Sequence, residues 1–180
     1  DQSNYAAAVD DYSALLALEP ENAADYSSRG TAYRALDQND LALADFTRAV
    51  ELDPALVSAY SNRARLYEAT GDLPAAIADY SKVVELDPDG IEGYLSRAGA
   101  YRAVPDLPKA LADYTKAIEL SPQTAAAYAG RARVYEEQGN VEAALADYTQ
   151  AIELDAKDGA SLVNRANLYR GQGQLDAALA

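Results

Sequence analysis

The sequence predicts an all-α solenoid in which one pair of helices recurs every 34 residues. Three residue types keep this spacing along the chain: prolines, tyrosines and alanines. The prolines are Pro20, Pro54, Pro88 and Pro122. The tyrosines are Tyr33, Tyr67, Tyr101, Tyr135 and Tyr169, and the alanines are Ala8, Ala42, Ala76, Ala110, Ala144 and Ala178. Proteins with such a period stack small units and present an extended binding surface.

Each unit reads as a helix A, a tight turn and a helix B. In the unit at 23–56, the large and small residues of the first half recur at helical spacing, at Tyr26, Gly30, Tyr33 and Leu36. Residues 37–40, Asp-Gln-Asn-Asp, are turn and cap formers that end this helix. A second helical pattern follows, and Pro54 ends it, because proline disfavours helix at the residue before it.

The period places every helix and repeat boundary. We expect helices A near 23–36, 57–70, 91–104, 125–138 and 159–172, and helices B near 6–19, 40–53, 74–87, 108–121 and 142–155. Residues 1–180 then form a single array. It comprises a half repeat at 1–22, full repeats at 23–56, 57–90, 91–124 and 125–158, and a partial repeat at 159–180.

Position by position, the units resemble the tetratricopeptide repeat (TPR) family. With residue 23 as position 1, that family has large aromatics at positions 4, 11 and 24, small residues at 8, 20 and 27, and proline at 32. The first full repeat matches with Tyr26, Gly30, Tyr33, Ala42, Phe46, Ala49 and Pro54, and the next three match with few exceptions. The resemblance implies a right-handed superhelix of antiparallel helix pairs, with helices A along a concave groove and helices B on the convex back.

One turn departs from the pattern. Pro105 occupies the position that Gly71, Gly139 and Gly173 hold in other repeats. Proline is restricted to a negative φ, whereas glycine reaches the left-handed region freely. We therefore expect the third A–B turn to differ in shape from the others.

Composition argues against catalysis. The chain has no cysteine and no histidine, so the usual nucleophile–base pairs and the commonest soft metal ligands are excluded. The loop 87–92 carries several carboxylates but lacks the length and pattern of an EF-hand. We expect a non-enzymatic protein without cofactor or metal. No apolar run reaches the roughly 18 residues of a membrane span, so no membrane insertion is expected.

Charge is distributed unevenly between the two kinds of helix. The formal net charge is −14, yet the five A-helix windows hold ten of the eleven arginines and only five acidic residues. The resemblance therefore implies a groove far more positive than the acidic exterior. A chain of this net charge would repel nucleic acid except inside such a groove, so we expect no nucleic-acid partner.

Five of these arginines recur at position 7, and an aspartate recurs at position 23. We call Arg29, Arg63, Arg97, Arg131 and Arg165 the junction arginines; the aspartates are Asp11, Asp45, Asp79, Asp113 and Asp147. Pairing between repeats gives every member a partner, whereas pairing within a repeat leaves Asp11 and Arg165 without one. We therefore expect a structural ladder with inter-repeat pairs such as Asp45–Arg63. The alternative is that each arginine stem covers the tyrosine rings.

The other five arginines are candidates for binding. Arg34, Arg102 and Arg170 stand at position 12, and Arg65 and Arg133 stand at position 9; we call these five the A-face arginines. In the two repeats that carry Arg65 and Arg133, position 12 holds Glu68 and Glu136. We expect each glutamate to neutralise in part the charge of the arginine three residues before it. Asn62 and Asn164 at position 6 could fix a peptide backbone or serve a local role.

These residues predict an interaction scaffold. We expect a protein or peptide partner with acidic or carboxylate-bearing groups, bound along the groove by Arg34, Asn62, Arg65, Arg102, Arg133, Asn164 and Arg170. Position 5 never holds the lysine that the family's clamp for the C-terminal carboxylate of chaperones requires, so that mode is not expected.

A structural role is the alternative. The terminal half repeats leave apolar faces without a neighbour, so we expect the chain to be either a piece of a longer array or a subunit that associates head to tail into a filament, outside the cell or within it. A row of hydroxyls at position 25 of helices B is either a solvated polar face or a series of O-glycosylation sites. The row comprises Ser13, Thr47, Ser81, Thr115 and Thr149.

Overall fold

The computed structural model describes residues 2–173 and contains ten α-helices and no strand within them. The helices are α1 Gln2–Leu18, α2 Ala23–Ala35, α3 Asn39–Leu52, α4 Val57–Thr70, α5 Leu73–Leu86, α6 Ile91–Ala103, α7 Leu107–Leu120, α8 Ala125–Glu137, α9 Val141–Leu154 and α10 Gly159–Gly171. The all-α class and the alternation of helices A (even numbers) and B (odd numbers) are confirmed.

The helices B after α1 begin and end one residue earlier than the sequence predicted, and an N-cap side chain fixes the start of three of them. The side chains of Asp72, Asp106 and Asn140 accept a backbone N–H from the first turn of α5, α7 and α9 respectively. Each cap places the first helical residue immediately after itself. Pro74 and Pro108 then lie in the first turn, where a missing N–H costs nothing.

The chain divides into two compact units, residues 1–88 and 89–180. In unit 1, each of α1–α4 packs on the next helix, and α2 also contacts α4. In unit 2, each of α6–α9 packs on the next helix, and α6 also contacts α8. The helices A α2 and α4 are therefore neighbours in unit 1, and α6 and α8 are neighbours in unit 2. The assignment of residues 1–180 to a single array remains a prediction.

Small residues and one large aromatic form the interior of each repeat. Ala64, Ala76, Ala98, Ala110 and Ala144 are fully buried. The aromatic at position 24 packs against them, and Phe46 and Tyr148 are likewise fully buried. At Gly30 a Cβ would lie 2.8 Å from Cε1 of Phe46, so only glycine permits this approach. The aromatic at position 24 therefore fills the core of each full repeat.

The A–B turns share one hydrogen bond whatever residue occupies the glycine position. The N–H of the following residue bonds a tyrosine carbonyl five residues earlier, at 2.8 Å for Asp106 to Tyr101 as for Asp72 to Tyr67. The expected difference in turn shape at Pro105 does not affect this bond and appears in the backbone angle, since φ is 25° at Pro105 and 74–87° at the glycines. Pro105 lacks only the N–H that Gly71 donates to Glu68. It is nevertheless held at φ 25°, outside the range of about −65° that its ring favours.

None of the helices in residues 2–173 combines the length and hydropathy that crossing a bilayer would need. The same residues contain no group of three or more carboxylates arranged to hold a metal ion.

Candidate partner-binding surface

The junction arginines pair within their own repeat, so the predicted inter-repeat pairing is wrong. Arg29 donates from Nε and Nη2 to the two carboxylate oxygens of Asp45, each at 2.8 Å. Arg63–Asp79, Arg97–Asp113 and Arg131–Asp147 repeat this bidentate geometry at 2.7–2.9 Å. The partners are 16 residues apart because helix B folds back along helix A of the same hairpin. Asp11 and Arg165 consequently enter no ion pair among residues 2–173.

Burial and hydrogen bonding make these pairs structural. The four aspartates are 6–7% exposed, and hydrogen bonding to the carboxylate is the main reason that the pKa of each paired arginine is raised. A charge-assisted bidentate pair is stronger than a neutral hydrogen bond. Removal of one partner would leave the other charge largely buried and uncompensated.

Each of these guanidinium groups also lies between two tyrosine rings of its own helix. The Cζ atom of Arg29 is 5.5 Å from the ring centre of Tyr26 and 5.7 Å from that of Tyr33. Arg63, Arg97 and Arg131 repeat the arrangement at 5.7–6.0 Å. The rings stand three residues before and four residues after the arginine, which places all three side chains on one helix face. Cation–π attraction therefore accompanies the ion pair.

Between neighbouring repeats, the junction arginines donate hydrogen bonds to hydroxyl groups rather than to carboxylates. Nη1 of Arg29 donates to Oγ of Ser13 on α1 at 3.1 Å, and Nη1 of Arg63 donates to Oγ1 of Thr47 at 3.4 Å. Arg131–Thr115 and Arg165–Thr149 continue the series in unit 2. These position-25 hydroxyls are half-buried acceptors, which favours a packing role over O-glycosylation.

The A-face arginines are in a different situation. Within residues 2–173, Arg34, Arg65, Arg133 and Arg170 enter no ion pair. Arg65 and Arg170 are exposed, and the other two are half-buried. Arg102 is the exception, because its Nη1 lies 2.8 Å from Oε1 of Glu137, with the side chains 35% and 40% exposed.

The acids at position 12 do not pair with the arginines as expected. Oε2 of Glu68 accepts from the hydroxyl of Tyr80 at 3.0 Å, and Oε2 of Glu136 accepts from the hydroxyl of Tyr148 at 2.8 Å. No ion pair joins Arg65 to Glu68 or Arg133 to Glu136 in the described part of the chain. Burial, and then the bond to Glu136, raise the pKa of Tyr148 far above its ordinary value. Each glutamate is therefore held by a core tyrosine, a geometry that i,i+3 spacing alone does not reveal.

Both asparagines at position 6 make local contacts. Nδ2 of Asn62 lies 3.4 Å from the hydroxyl oxygens of Ser27 and Thr31 on the preceding helix A. Nδ2 of Asn164 donates to the hydroxyl of Tyr148 at 3.2 Å. These bonds connect neighbouring repeats within each unit, so the local role is present at both positions.

The arrangement offers cationic hydrogen-bond donors on the helix A surface, supported by a core that fixes their helices. A guanidinium without an internal carboxylate is suited to bind an external one. Sequence reasoning found the arginines but missed the Arg102–Glu137 contact, which joins residues one period plus one position apart. The 34-residue repeat, combined with contact between successive helices A, was the signal that could have identified it.

Comparisons with known proteins agree on the fold. Models of the tetratricopeptide repeat match residues 27–91, 125–158 and 147–180, and a TPR repeat model matches residues 105–139. A comparison with curated proteins gave no match.

Solved structures are similar over most of the chain. A tetratricopeptide repeat protein from Parabacteroides merdae is 24% identical, over 99% of this chain and 71% of its own, with a TM-score of 0.85. MamA is 24% identical over 83% of this chain and 88% of its own, with a TM-score of 0.78. YrrB, described as a TPR protein with an unusual peptide-binding site, is 18% identical over 93% and 87%, with a TM-score of 0.76.

The matched segments span most of both units, and four of the seven positions that define the family, positions 8, 20, 24 and 27, are buried in every full repeat. The chain therefore belongs to the tetratricopeptide repeat family, whose fold is that of a protein-interaction scaffold.

Proposed function

We propose that this protein is a non-enzymatic scaffold that binds an acidic segment of a partner protein along the surface of its helices A. The observation that carries the proposal is the division of the arginines into two sets. The junction arginines donate their hydrogen bonds to aspartates and hydroxyls of the fold, whereas four of the five A-face arginines enter no ion pair within residues 2–173.

The charge distribution supports an acidic ligand. The helices A are net positive within a chain of net charge −14. An acidic segment would be repelled by most of the surface and attracted only where the arginines lie. Such complementarity fixes orientation and raises the association rate.

Binding to a labelled peptide tests the proposal. The probe is a fluorescein-labelled decapeptide of alternating Glu and Ala, and its counterpart has Gln in place of Glu. Fluorescence anisotropy at low salt should show binding of the acidic peptide and not of the neutral one. Affinity should fall as salt is added, because exposed charges are screened.

A charge-reversal pair identifies the surface. We expect Arg65→Glu with Arg133→Glu to weaken binding about tenfold or more, since each reversal replaces attraction by repulsion. The matched control is Arg48→Glu with Lys116→Glu, which makes the same change in net charge on helices B at side chains 46% and 45% exposed. Equal loss in both double variants would reject the A-helix surface, and circular dichroism checks that both remain folded.

Self-association is a second candidate, favoured by exposed apolar side chains on α1 and on α10. On α1, Tyr5, Leu15 and Leu18 are 43%, 46% and 80% exposed, and on α10, Leu162 and Val163 are 38% and 60% exposed. Exposed apolar patches commonly mark interaction sites. A head-to-tail contact between α1 of one molecule and α10 of the next would bury both, and a filament, outside the cell or within it, would follow.

Sedimentation velocity over a range of concentrations tests this second candidate. The unmodified chain should show mass that grows with concentration, and Leu15→Gln with Leu18→Gln should abolish the growth. Leu41→Gln, at a leucine of α3 that is 49% exposed, is the control and should leave it unchanged. A monomer at all concentrations would remove this candidate.

A further inference from the structure

The two units carry equivalent residues 68 positions apart, and one pair of equivalents differs in charge. Arg34 of α2 corresponds to Arg102 of α6, and Arg65 of α4 corresponds to Arg133 of α8. The residue that follows Arg65 by one helical turn is Ala69, whereas the residue that follows Arg133 by one turn is Glu137. Unit 1 thus has both arginines of the arrangement and lacks its carboxylate.

In unit 2 the side chain of Glu137 places a carboxylate against an A-face arginine. Glu137 at the end of α8 reaches Arg102 on α6, and its Oε1 is 2.8 Å from Nη1. This ion pair is the main reason that the pKa of Arg102 is raised. The two residues are 35 positions apart, one more than the repeat length, so the contact joins two successive helices A.

Unit 1 presents the same helix contact without an acid at the position equivalent to Glu137. α2 contacts α4 as α6 contacts α8, and Arg34 is separated from Ala69 by the same 35 positions. Ala69 is exposed, and Arg34 is half-buried and enters no ion pair among residues 2–173. Arg65 lies on the same face of α4 as Ala69, because residues four apart on a helix are neighbours.

We propose that Glu137 occupies in unit 2 the place that a partner's Asp or Glu side chain takes in unit 1, above Ala69 and against Arg34, on the helix face that also carries Arg65. The inference rests on the proposed function and gives it a location. Unit 1 is the receptor for the acidic side chain, and unit 2 fills the equivalent site with its own glutamate.

The first experiment fills the site in unit 1. Ala69→Glu supplies the missing carboxylate and should weaken binding of the alternating Glu–Ala peptide about fivefold, because a tethered carboxylate competes for the arginines. Ala69→Gln tests side-chain size, and Ala44→Glu places the same added charge on an exposed alanine of α3. Both controls should bind within about twofold of the unmodified chain.

The second experiment empties the site in unit 2. Glu137→Gln should raise the calorimetric stoichiometry for the same peptide from one to two, since Arg102 becomes available. The control is Glu51→Gln, which breaks the exposed Arg48–Glu51 pair of α3 with the same change in charge and should keep a stoichiometry of one.

The outcomes separate this inference from the proposed function. Weaker binding by Ala69→Glu, together with the second site in Glu137→Gln, supports the assignment to unit 1. If Arg65→Glu with Arg133→Glu abolishes binding while Ala69→Glu matches Ala44→Glu, or Glu137→Gln matches Glu51→Gln, the location is wrong and the scaffold proposal stands. If the unmodified chain does not distinguish the acidic peptide from its neutral counterpart, both are overturned.

Discussion

Two sets of arginines lie on the same helices A and do different work. Arg63 and Arg65 are two residues apart on α4, yet Arg63 bonds both oxygens of Asp79 and lies between two tyrosine rings, whereas Arg65 is exposed. Helix geometry turns the first toward helix B and the second toward solvent. The comparison teaches that arginine content alone does not identify a binding surface, because the internal partners of each guanidinium decide what it can bind.

We expect the largest loss of stability when the buried aspartate of a junction ion pair is replaced. Asp147→Ala removes the carboxylate that Arg131 bonds at 2.7 and 2.9 Å. We expect the free energy of unfolding to fall by about 3 kcal/mol, because the guanidinium is left uncompensated. Urea denaturation measures the change. Glu51→Ala, at an exposed pair, is the control with an expected change of about 0–1 kcal/mol.

Replacing a buried alanine by a larger residue should reduce the free energy of unfolding by less than breaking a junction pair does. Ala110 is fully buried and packs with Tyr114 and Ala98, so Ala110→Leu inserts three carbons where no space exists. We expect a loss of about 1–3 kcal/mol, and Ala76→Leu in unit 1 should behave alike. Ala112→Leu, at an exposed alanine of the same helix, should leave the thermal midpoint nearly unchanged. An unchanged midpoint for Ala110→Leu would show that the A–B contact is looser than described.

The strained turn should respond in the opposite direction. Pro105→Gly relieves a φ of 25° and restores a backbone N–H, so we expect a gain of about 0.5–1 kcal/mol despite the added freedom of the unfolded chain. Pro108→Gly, at a proline suited to the first turn of α7, should instead destabilise. Differential scanning calorimetry of the two variants gives the comparison, and a loss at Pro105 would contradict the strain.

The smallest expected effect on stability comes from ionisation of Tyr148 and occurs only in alkaline solution. The folded state raises the pKa of Tyr148, mainly through burial and then through Glu136, so it favours the neutral phenol. The stability this contributes is complete below the unfolded tyrosine pKa of about 10 and is lost as the pH rises above it. Tyr148→Phe should therefore show a shallower decline in unfolding free energy above pH 10 than the unmodified chain. Parallel declines would exclude this contribution.

The sequence predicted the helices well because each repeats its own pattern of small and large residues. It failed where two elements meet. The Asp45–Arg29 pairing depends on which way helix B returns along helix A, and completeness of pairing at Asp11 and Arg165 was the wrong criterion. Glu68 was assigned to Arg65 by spacing alone, yet the buried Tyr80 reaches it from helix B. Contacts within one helix follow from spacing, whereas contacts between helices depend on packing.

The most direct test substitutes the two neighbouring arginines of α4 separately. Each variant, Arg63→Gln and Arg65→Gln, is measured for thermal stability and for affinity toward the alternating Glu–Ala peptide at a temperature where both are folded. We expect Arg63→Gln to lower the thermal midpoint and keep the affinity, and Arg65→Gln to keep the midpoint and weaken binding. A loss of affinity in Arg63→Gln with none in Arg65→Gln would contradict the division between structural and binding arginines.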